Sequence, residues 1–172
     1  MSDQERRDEI EVKFVLRGLP PAHIIGNGKL VRVGYLFVGK FEMRLRINRA
    51  GKFIISAKTD GDLRRKEWEE EIPEWVFNGF WEKTEGRRFT RTQYIIINHD
   101  GSEIYVGHHH DHLEPLITME QEFDTEEDAR NFSLPEWAVA LDAHDVTFDH
   151  HYKGQFLAQH GLPHDYGSWW PR

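Results

Sequence analysis

One stretch near the start of the chain sets the architecture: Glu9-Ile10-Glu11-Val12-Lys13-Phe14-Val15-Leu16-Arg17. Every second side chain from Ile10 to Leu16 is apolar, which is the two-residue period of a β-strand. Glu9, Glu11 and Lys13 therefore share the opposite face of the predicted strand. Adjacent carboxylates repel each other unless a cation lies between them. Taken alone, the motif fits either a solvent-exposed strand, which is the commoner case, or a divalent-metal site beside a substrate-facing lysine.

Composition narrows the class of protein. The 172 residues are enough for a sizeable core, and we expect a single domain over 1–172 with peripheral tails at 1–8 and about 165–172. The net charge of -8 argues against bulk binding of nucleic acid, and the absence of cysteine excludes disulfides and thiolate metal sites. The polar N-terminus and the lack of a long apolar run predict a cytoplasmic protein without a membrane partner.

Eight runs along the chain have the alternation or composition of strands. They span residues 9–17, 30–38, 41–47, 52–59, 64–72, 88–97, 103–107 and 115–123. Turn signals join most of them directly, which predicts hairpins and therefore an antiparallel sheet or barrel. Helices are predicted at 74–84, at 125–132 and at 154–160, with a short extended piece at 145–148.

Six of these strands are charged on one face and strongly apolar on the other. A solvated sheet face explains that pattern in one or two strands but not in six. A closed barrel with an ionic interior, and helices covering its apolar exterior, explains both faces. The predicted fold class is therefore α+β, an eight-stranded antiparallel β-barrel with a few helices outside. Acids gathered in such an interior need divalent cations and the bases need an anion, and ligands that are all oxygen suit Mg²⁺ or Mn²⁺.

Five motifs follow one another over about residues 9–160. They are an ExExK strand, an RxR strand, a fourth-strand lysine, an RxExE strand and a late ExEF: Glu9, Glu11 and Lys13; Arg44 and Arg46; Lys58; Arg65, Glu67 and Glu69; Glu120, Glu122 and Phe123. In this order and spacing the chain resembles the CYTH superfamily, also called triphosphate tunnel metalloenzymes.

The resemblance implies a tunnel in which inorganic triphosphate or a nucleoside triphosphate is hydrolysed with Mg²⁺ or Mn²⁺, in a fold compatible with a homodimer. The metal ligands that it implies are Glu9, Glu11, Glu120 and Glu122. The substrate-binding cations that it implies are Lys13, Arg44, Arg46, Lys58, Arg65 and Arg91. The catalytic residues that it implies are Lys13, Glu67, Glu69 and Tyr35, although a single tyrosine is also typical of a protein core. Phosphoryl transfer needs mainly positioning and charge neutralisation, which such a set supplies.

The chain departs from the family pattern in its sixth and seventh strands. Gln93 stands where a second basic residue is expected, and Arg88 compensates only if the register shifts. The seventh strand, 103–107, lacks the expected acid, and we interpret His108–His112 as a solvated loop. Two alternatives to hydrolysis therefore stay open: a class IV type adenylate cyclase, and a non-catalytic protein that binds triphosphate or nucleotides.

Overall fold

Nine strands form one antiparallel sheet in the computed structural model, which describes residues 7–170. The strands are β1 (Arg7–Leu16), β2 (Lys29–Phe37), β3 (Phe41–Ile47), β4 (Phe53–Thr59), β5 (Arg64–Glu71), β6 (Arg88–Ile97), β7 (Glu103–His109), β8 (Ile117–Phe123) and β9 (His144–Asp145). The predicted peripheral tails lie partly outside the described residues.

The first eight strands close into a barrel. Their order is β5-β4-β3-β2-β6-β7-β8-β1, and β1 also pairs with β5. Ile10 is the residue at which closure is visible, because it pairs with Phe123 on one side and Arg64 on the other. Beyond that point β1 pairs with β9 through Phe14 and Val15. The predicted eight-stranded antiparallel barrel is thereby confirmed.

Within residues 7–170, four α-helices pack outside or against the end of the barrel: α1 (Glu74–Trp81), α2 (Glu126–Arg130), α3 (Glu136–Val139) and α4 (Gly154–His160). α1 begins directly after Pro73, whose fixed φ suits a helix start. Thr125 caps α2, since its side chain accepts a hydrogen bond from the Asp128 backbone N–H at 3.1 Å. No helix within residues 7–170 has the length and apolar character needed to cross a bilayer.

The apolar residues form two clusters. The outward side chains of β1, among them Val12 and Phe14, pack with Met119 and with the residues around α2 and α3. The second cluster fills one end of the barrel, where Tyr152 and Leu157 from the C-terminal segment contact inward-facing apolar residues of β2 and β6. These clusters leave the remaining interior of the barrel to polar and charged side chains.

The predicted loop at His108–His112 is wrong for its first two residues. β7 continues to His109, which pairs with Arg91 on β6 and is 2% exposed. The alternation that turns Tyr105 and Gly107 inward extends to His109. The His109 ring packs against Phe89, with 5.2 Å between the ring centroids. Composition suggested a polar loop because histidines adjoin one another there, whereas backbone pairing with β6 keeps this segment in the sheet.

Candidate active site

The barrel encloses a cavity of about 400 Å³. Every residue that the sequence analysis assigned to the site lines it: Glu9, Glu11, Lys13, Tyr35, Arg44, Arg46, Lys58, Arg65, Glu67, Glu69, Arg91, Glu120 and Glu122. They arrive there because each lies on the inward face of its strand, where every second side chain points into the barrel. The structure thus brings the predicted residues together around one cavity.

Lys58 is the centre of a buried ion network. Its ammonium pairs with Glu9 and lies 3.2 Å from a carboxylate oxygen of Glu67, and none of the three side chains is more than 4% exposed. Arg65 contacts the other oxygen of Glu9 at 2.9 Å. Burial raises the pKa of Glu9, but Lys58 and Arg65 outweigh it and lower that pKa to about 2. Glu9 is therefore ionised throughout the physiological range.

Glu9, Glu11 and Glu122 form a group of carboxylates suited to a cation. One oxygen from each lies within 4.8 Å of the other two. Burial raises the pKa of Glu11 to about 7, and the charges of Glu120 and Glu9 add to the effect. Carboxylates this close together repel one another, and a bound cation would relieve that repulsion. The donors are oxygen atoms only, so the group fits Mg²⁺ or Mn²⁺ rather than a thiolate- or imidazole-seeking metal.

Glu120, the fourth predicted ligand, has different neighbours. Its carboxylate lies 2.9 Å from the ammonium of Lys13 and 3.2 Å from the guanidinium of Arg91. Burial alone would raise the pKa of Glu120, yet Arg91 and Lys13 hold it well below its usual value. Lys13 also donates to the backbone carbonyl of Tyr152 at 3.5 Å. The four predicted ligands are therefore divided into a three-carboxylate group and one acid that holds two cations in place.

A concentration of positive charge lies on another part of the wall. Arg44 donates to the Ser56 hydroxyl at 3.0 Å, and Arg46 pairs with Glu69 at 2.7 Å. Burial lowers the pKa of Arg46, and the nearby charges of Arg44 and Arg91 lower it further. Guanidinium groups that repel one another across a cavity are stabilised by an anion placed between them.

Tyr35 is both a core residue and a residue of the cavity wall. It is 1% exposed and belongs to the apolar cluster at the closed end, yet it lines the cavity. Burial and the charge of Glu42 raise its pKa, and Arg44 opposes the rise without reversing it. Tyr35 is therefore a protonated hydroxyl at neutral pH. Gly154 lets α4 approach it, since a Cβ there would lie 2.3 Å from the Tyr35 hydroxyl.

Two features of the wall were not predicted. His109 lines the cavity, and its Nε2 lies 3.2 Å from the Thr118 hydroxyl. Burial and the charge of Arg91 lower the pKa of His109 well below 6.5, so its ring is neutral. Gly107 leaves room for Arg91, because a Cβ there would lie 2.9 Å from Arg91 Cδ. The inward alternation of β7, carried two residues further, is the signal that would have placed His109 inside.

Arg88 does not replace the charge that the sixth strand lacks at Gln93. The register of β6 turns Phe89, Arg91 and Gln93 inward and Arg88 outward. Arg88 donates to the Thr84 hydroxyl at 2.7 Å and lies over the Trp81 ring.

Known proteins resemble this chain over most of its length. No protein-family model matches the sequence. The chain is 33% identical to the inorganic triphosphatase of Nitrosomonas europaea over 155 residues, which is 87% of this chain and 96% of that protein. A crystal structure of an inorganic triphosphatase superposes with a TM-score of 0.63 at 30% identity, covering 90% of this chain and 97% of that one.

More distant structures share the fold. A protein from Bacillus halodurans proposed to be an adenylate cyclase superposes with a TM-score of 0.54 at 14% identity, covering 74% of this chain and 86% of that one. A Hippeastrum protein proposed to be an adenylyl cyclase, and described as having a dominant triphosphatase activity, has a TM-score of 0.51 at 14% identity over 72% of this chain and 83% of its own.

Proposed function

This chain belongs to the family of inorganic triphosphatases within the CYTH superfamily, and we infer that its tunnel binds triphosphate and hydrolyses it to pyrophosphate and phosphate. One observation carries the inference: the guanidinium groups of Arg44, Arg46 and Arg91 line the same cavity as a three-carboxylate group. A linear polyanion with a bound cation satisfies both sets of charges at once.

We propose Mg²⁺ or Mn²⁺ as the cofactor, held by Glu9, Glu11 and Glu122. The donor set fits, since one oxygen of each carboxylate lies within 4.8 Å of the other two. Burial and the charges of Glu120 and Glu9 raise the pKa of Glu11 to about 7, and a bound cation would oppose both effects. A divalent cation at this place supplies charge neutralisation to phosphate oxygens.

The basic residues of the wall bind and orient the substrate. Arg44, Arg46 and Arg91 are held by side-chain partners, so their guanidinium groups are positioned before the substrate arrives. A preorganised donor loses little side-chain entropy on binding and stabilises charge that develops during phosphoryl transfer. Lys13, anchored on Glu120, and Lys58 and Arg65, anchored on Glu9, complete the set of proposed phosphate contacts.

The two inward-facing carboxylates of β5, Glu67 and Glu69, have different parts in the proposal. Glu67 is 2% exposed and binds Lys58, so its part is to position that ammonium. Glu69 is one-third exposed and pairs with Arg46, and its exposure supports a role in contact with water. We propose that Glu69 orients the attacking water and that Tyr35, protonated at neutral pH, donates a hydrogen bond inside the tunnel.

A product assay tests the proposed function. The purified protein is incubated with inorganic triphosphate, and separately with ATP, in Mg²⁺ or Mn²⁺, while phosphate, pyrophosphate and cyclic AMP are measured. We expect equal amounts of phosphate and pyrophosphate from triphosphate. Pyrophosphate together with cyclic AMP from ATP would make the protein a cyclase, and tight binding without turnover would make it a binding protein.

The control for contaminating phosphatases is the double variant Glu11→Gln/Glu122→Gln, purified in parallel. Its tunnel keeps the shape of the wild type and loses two of the three proposed cation ligands. We expect its turnover to fall to background at the cation concentration that saturates the wild type. Turnover equal to that of the wild type would remove the three-carboxylate group from the proposal.

A further inference from the structure

One cation of the tunnel wall differs from the others. Among residues 7–170, eight lysine and arginine side chains line the cavity, and seven of them have a carboxylate within 4.0 Å: Lys13, Arg44, Arg46, Lys58, Arg65, Arg91 and Lys153. Arg49 is the eighth, and within residues 7–170 it forms no ion pair. Among the described residues of the wall, Arg49 is therefore the cation that no carboxylate pairs with.

Arg49 belongs to the tight turn between β3 and β4. The Asn48 side chain fixes that turn by accepting hydrogen bonds from the backbone N–H groups of Ala50 and Lys52, each at 3.0 Å. Gly51 completes it with a φ of 78°, which favours glycine. The turn is thus a rigid base from which the Arg49 side chain extends.

The guanidinium of Arg49 reaches β6. It donates one hydrogen bond to the backbone carbonyl of Gln93 and another, at 3.4 Å, to the backbone carbonyl of Asn27. Carbonyl oxygens hold a guanidinium in place without cancelling its charge. The group retains further N–H donors, since guanidinium has five.

The position that Arg49 reaches is the one where β6 lacks a basic residue. Gln93 faces the cavity and is 7% exposed. Arg88, which the sequence analysis considered as a replacement, lies on the outer face over the Trp81 ring. A cation from another strand pair therefore supplies positive charge beside Gln93.

We propose that Arg49 is a substrate-binding residue that contacts the phosphate nearest the β3–β4 turn and takes the part of the missing basic side chain at position 93. The proposal rests on the function inferred above, since it needs a polyphosphate in the tunnel. Planar guanidinium matches the spacing of phosphate oxygens and binds them through paired hydrogen bonds. Of the tunnel cations, Arg49 gives up no carboxylate partner on binding an anion, so its contact carries no cost of breaking an ion pair.

The first test measures binding apart from turnover. Calorimetric titration of inorganic triphosphate in EDTA reports the dissociation constant for the wild type, Arg49→Ala and Arg49→Gln. We expect both variants to bind about tenfold more weakly or worse, as the loss of hydrogen bonds to a charged group implies. The matched control is Lys52→Ala, from the same hairpin: Lys52 pairs with Glu71 on the surface, and both side chains are 56% exposed. That control should bind as the wild type does.

The second test is rescue. In the double variant Arg49→Ala/Gln93→Arg the charge returns from β6 itself, so we expect most of the lost affinity to be recovered. Thermal unfolding of each variant checks that the barrel is intact. Steady-state kinetics with Mg²⁺ should place the Arg49→Ala defect in KM more than in kcat.

The outcomes separate this proposal from the function it rests on. Affinities of Arg49→Ala and Arg49→Gln within twofold of the wild type would overturn the assignment, and so would a loss that Lys52→Ala shares or that Gln93→Arg leaves unrepaired. Wild-type protein that binds triphosphate in EDTA but does not hydrolyse it with Mg²⁺ would overturn the proposed hydrolysis and leave the Arg49 contact established by its own affinities.

Discussion

Replacing Lys58 by methionine should lower the free energy of unfolding by about 3–5 kcal/mol at neutral pH, the range for breaking a buried ion pair. The Lys58 ammonium lies between the carboxylates of Glu9 and Glu67, and the three side chains are at most 4% exposed. Methionine occupies similar space without a charge. The variant therefore leaves two carboxylates in the interior with one fewer cation to stabilise them.

The pKa of Glu9 gives the magnitude independently. Folding lowers that pKa from 4.5 to about 2, and at about 1.4 kcal/mol per unit this stabilises the native state by roughly 3 kcal/mol at pH 7. Because the folded-state pKa is the lower one, the stabilisation is fully present above pH 4.5 and is lost as pH falls towards 2. Lys58 is the largest of the effects that lower the pKa. The cost of Lys58→Met should therefore be smaller at pH 4 than at pH 7.

Urea denaturation in EDTA at the two pH values measures this effect, with Lys52→Met as the matched control. Lys52 pairs with Glu71 at 2.6 Å, but both side chains are 56% exposed, so its loss should cost less than about 1 kcal/mol. Equal destabilisation by the two lysine variants would refute the reasoning. A cost for Lys58→Met that does not change between pH 7 and pH 4 would also refute it.

Gly107→Ala should raise the KM for triphosphate several-fold, because the added Cβ would lie 2.9 Å from Arg91 Cδ and displace that side chain. Steady-state kinetics measures this KM, with Gly26→Ala as the control, because a Cβ at Gly26 would meet nothing within 4 Å. Equal KM values for the two variants would show that Arg91 does not need the space beside Gly107. Mg²⁺ or Mn²⁺ should raise the unfolding temperature of the wild type, since a ligand of the native state stabilises it. The same cation should leave the unfolding temperature of Glu11→Gln/Glu122→Gln unchanged. An equal rise in that variant would place the cation elsewhere.

Much of the fold was predictable because the strands obey a simple alternation. In β4 the inward positions include Lys58, and in β5 they include Glu67, so the sequence already put both charges in the interior. The sheet pairs these two residues directly across β4 and β5. The bounds of the eight barrel strands were predicted to within two residues, with the largest differences at the start of β1, the end of β7 and the start of β8. Hairpin turns made the neighbouring pairs predictable as well.

The sequence predicted which residues line the tunnel better than it predicted which of them contact one another. Four acids looked alike in sequence, yet Glu120 binds Lys13 and Arg91 whereas Glu122 lies with Glu9 and Glu11. These contacts depend on how far each side chain extends across the lumen and on the stagger between strands.

Arg49 and His109 were missed for two further reasons. Arg49 is in a turn, where alternation assigns no face, and its guanidinium contacts the Gln93 carbonyl, which is 44 residues away along the chain. His109 lies within the run His108–His112, which resembles a loop in composition, and only its pairing with β6 places it in the wall.

Local alternation was enough to specify which residues point inward, because each strand residue must face one side of the sheet or the other. Which inward charges become partners depended on barrel closure, because β1 lies between β5 and β8 and so joins residues more than 100 positions apart, such as Lys13 and Glu120. Electrostatic energy depends on distances of a few ångströms, and a one-dimensional pattern contains no such distances until the sheet has closed.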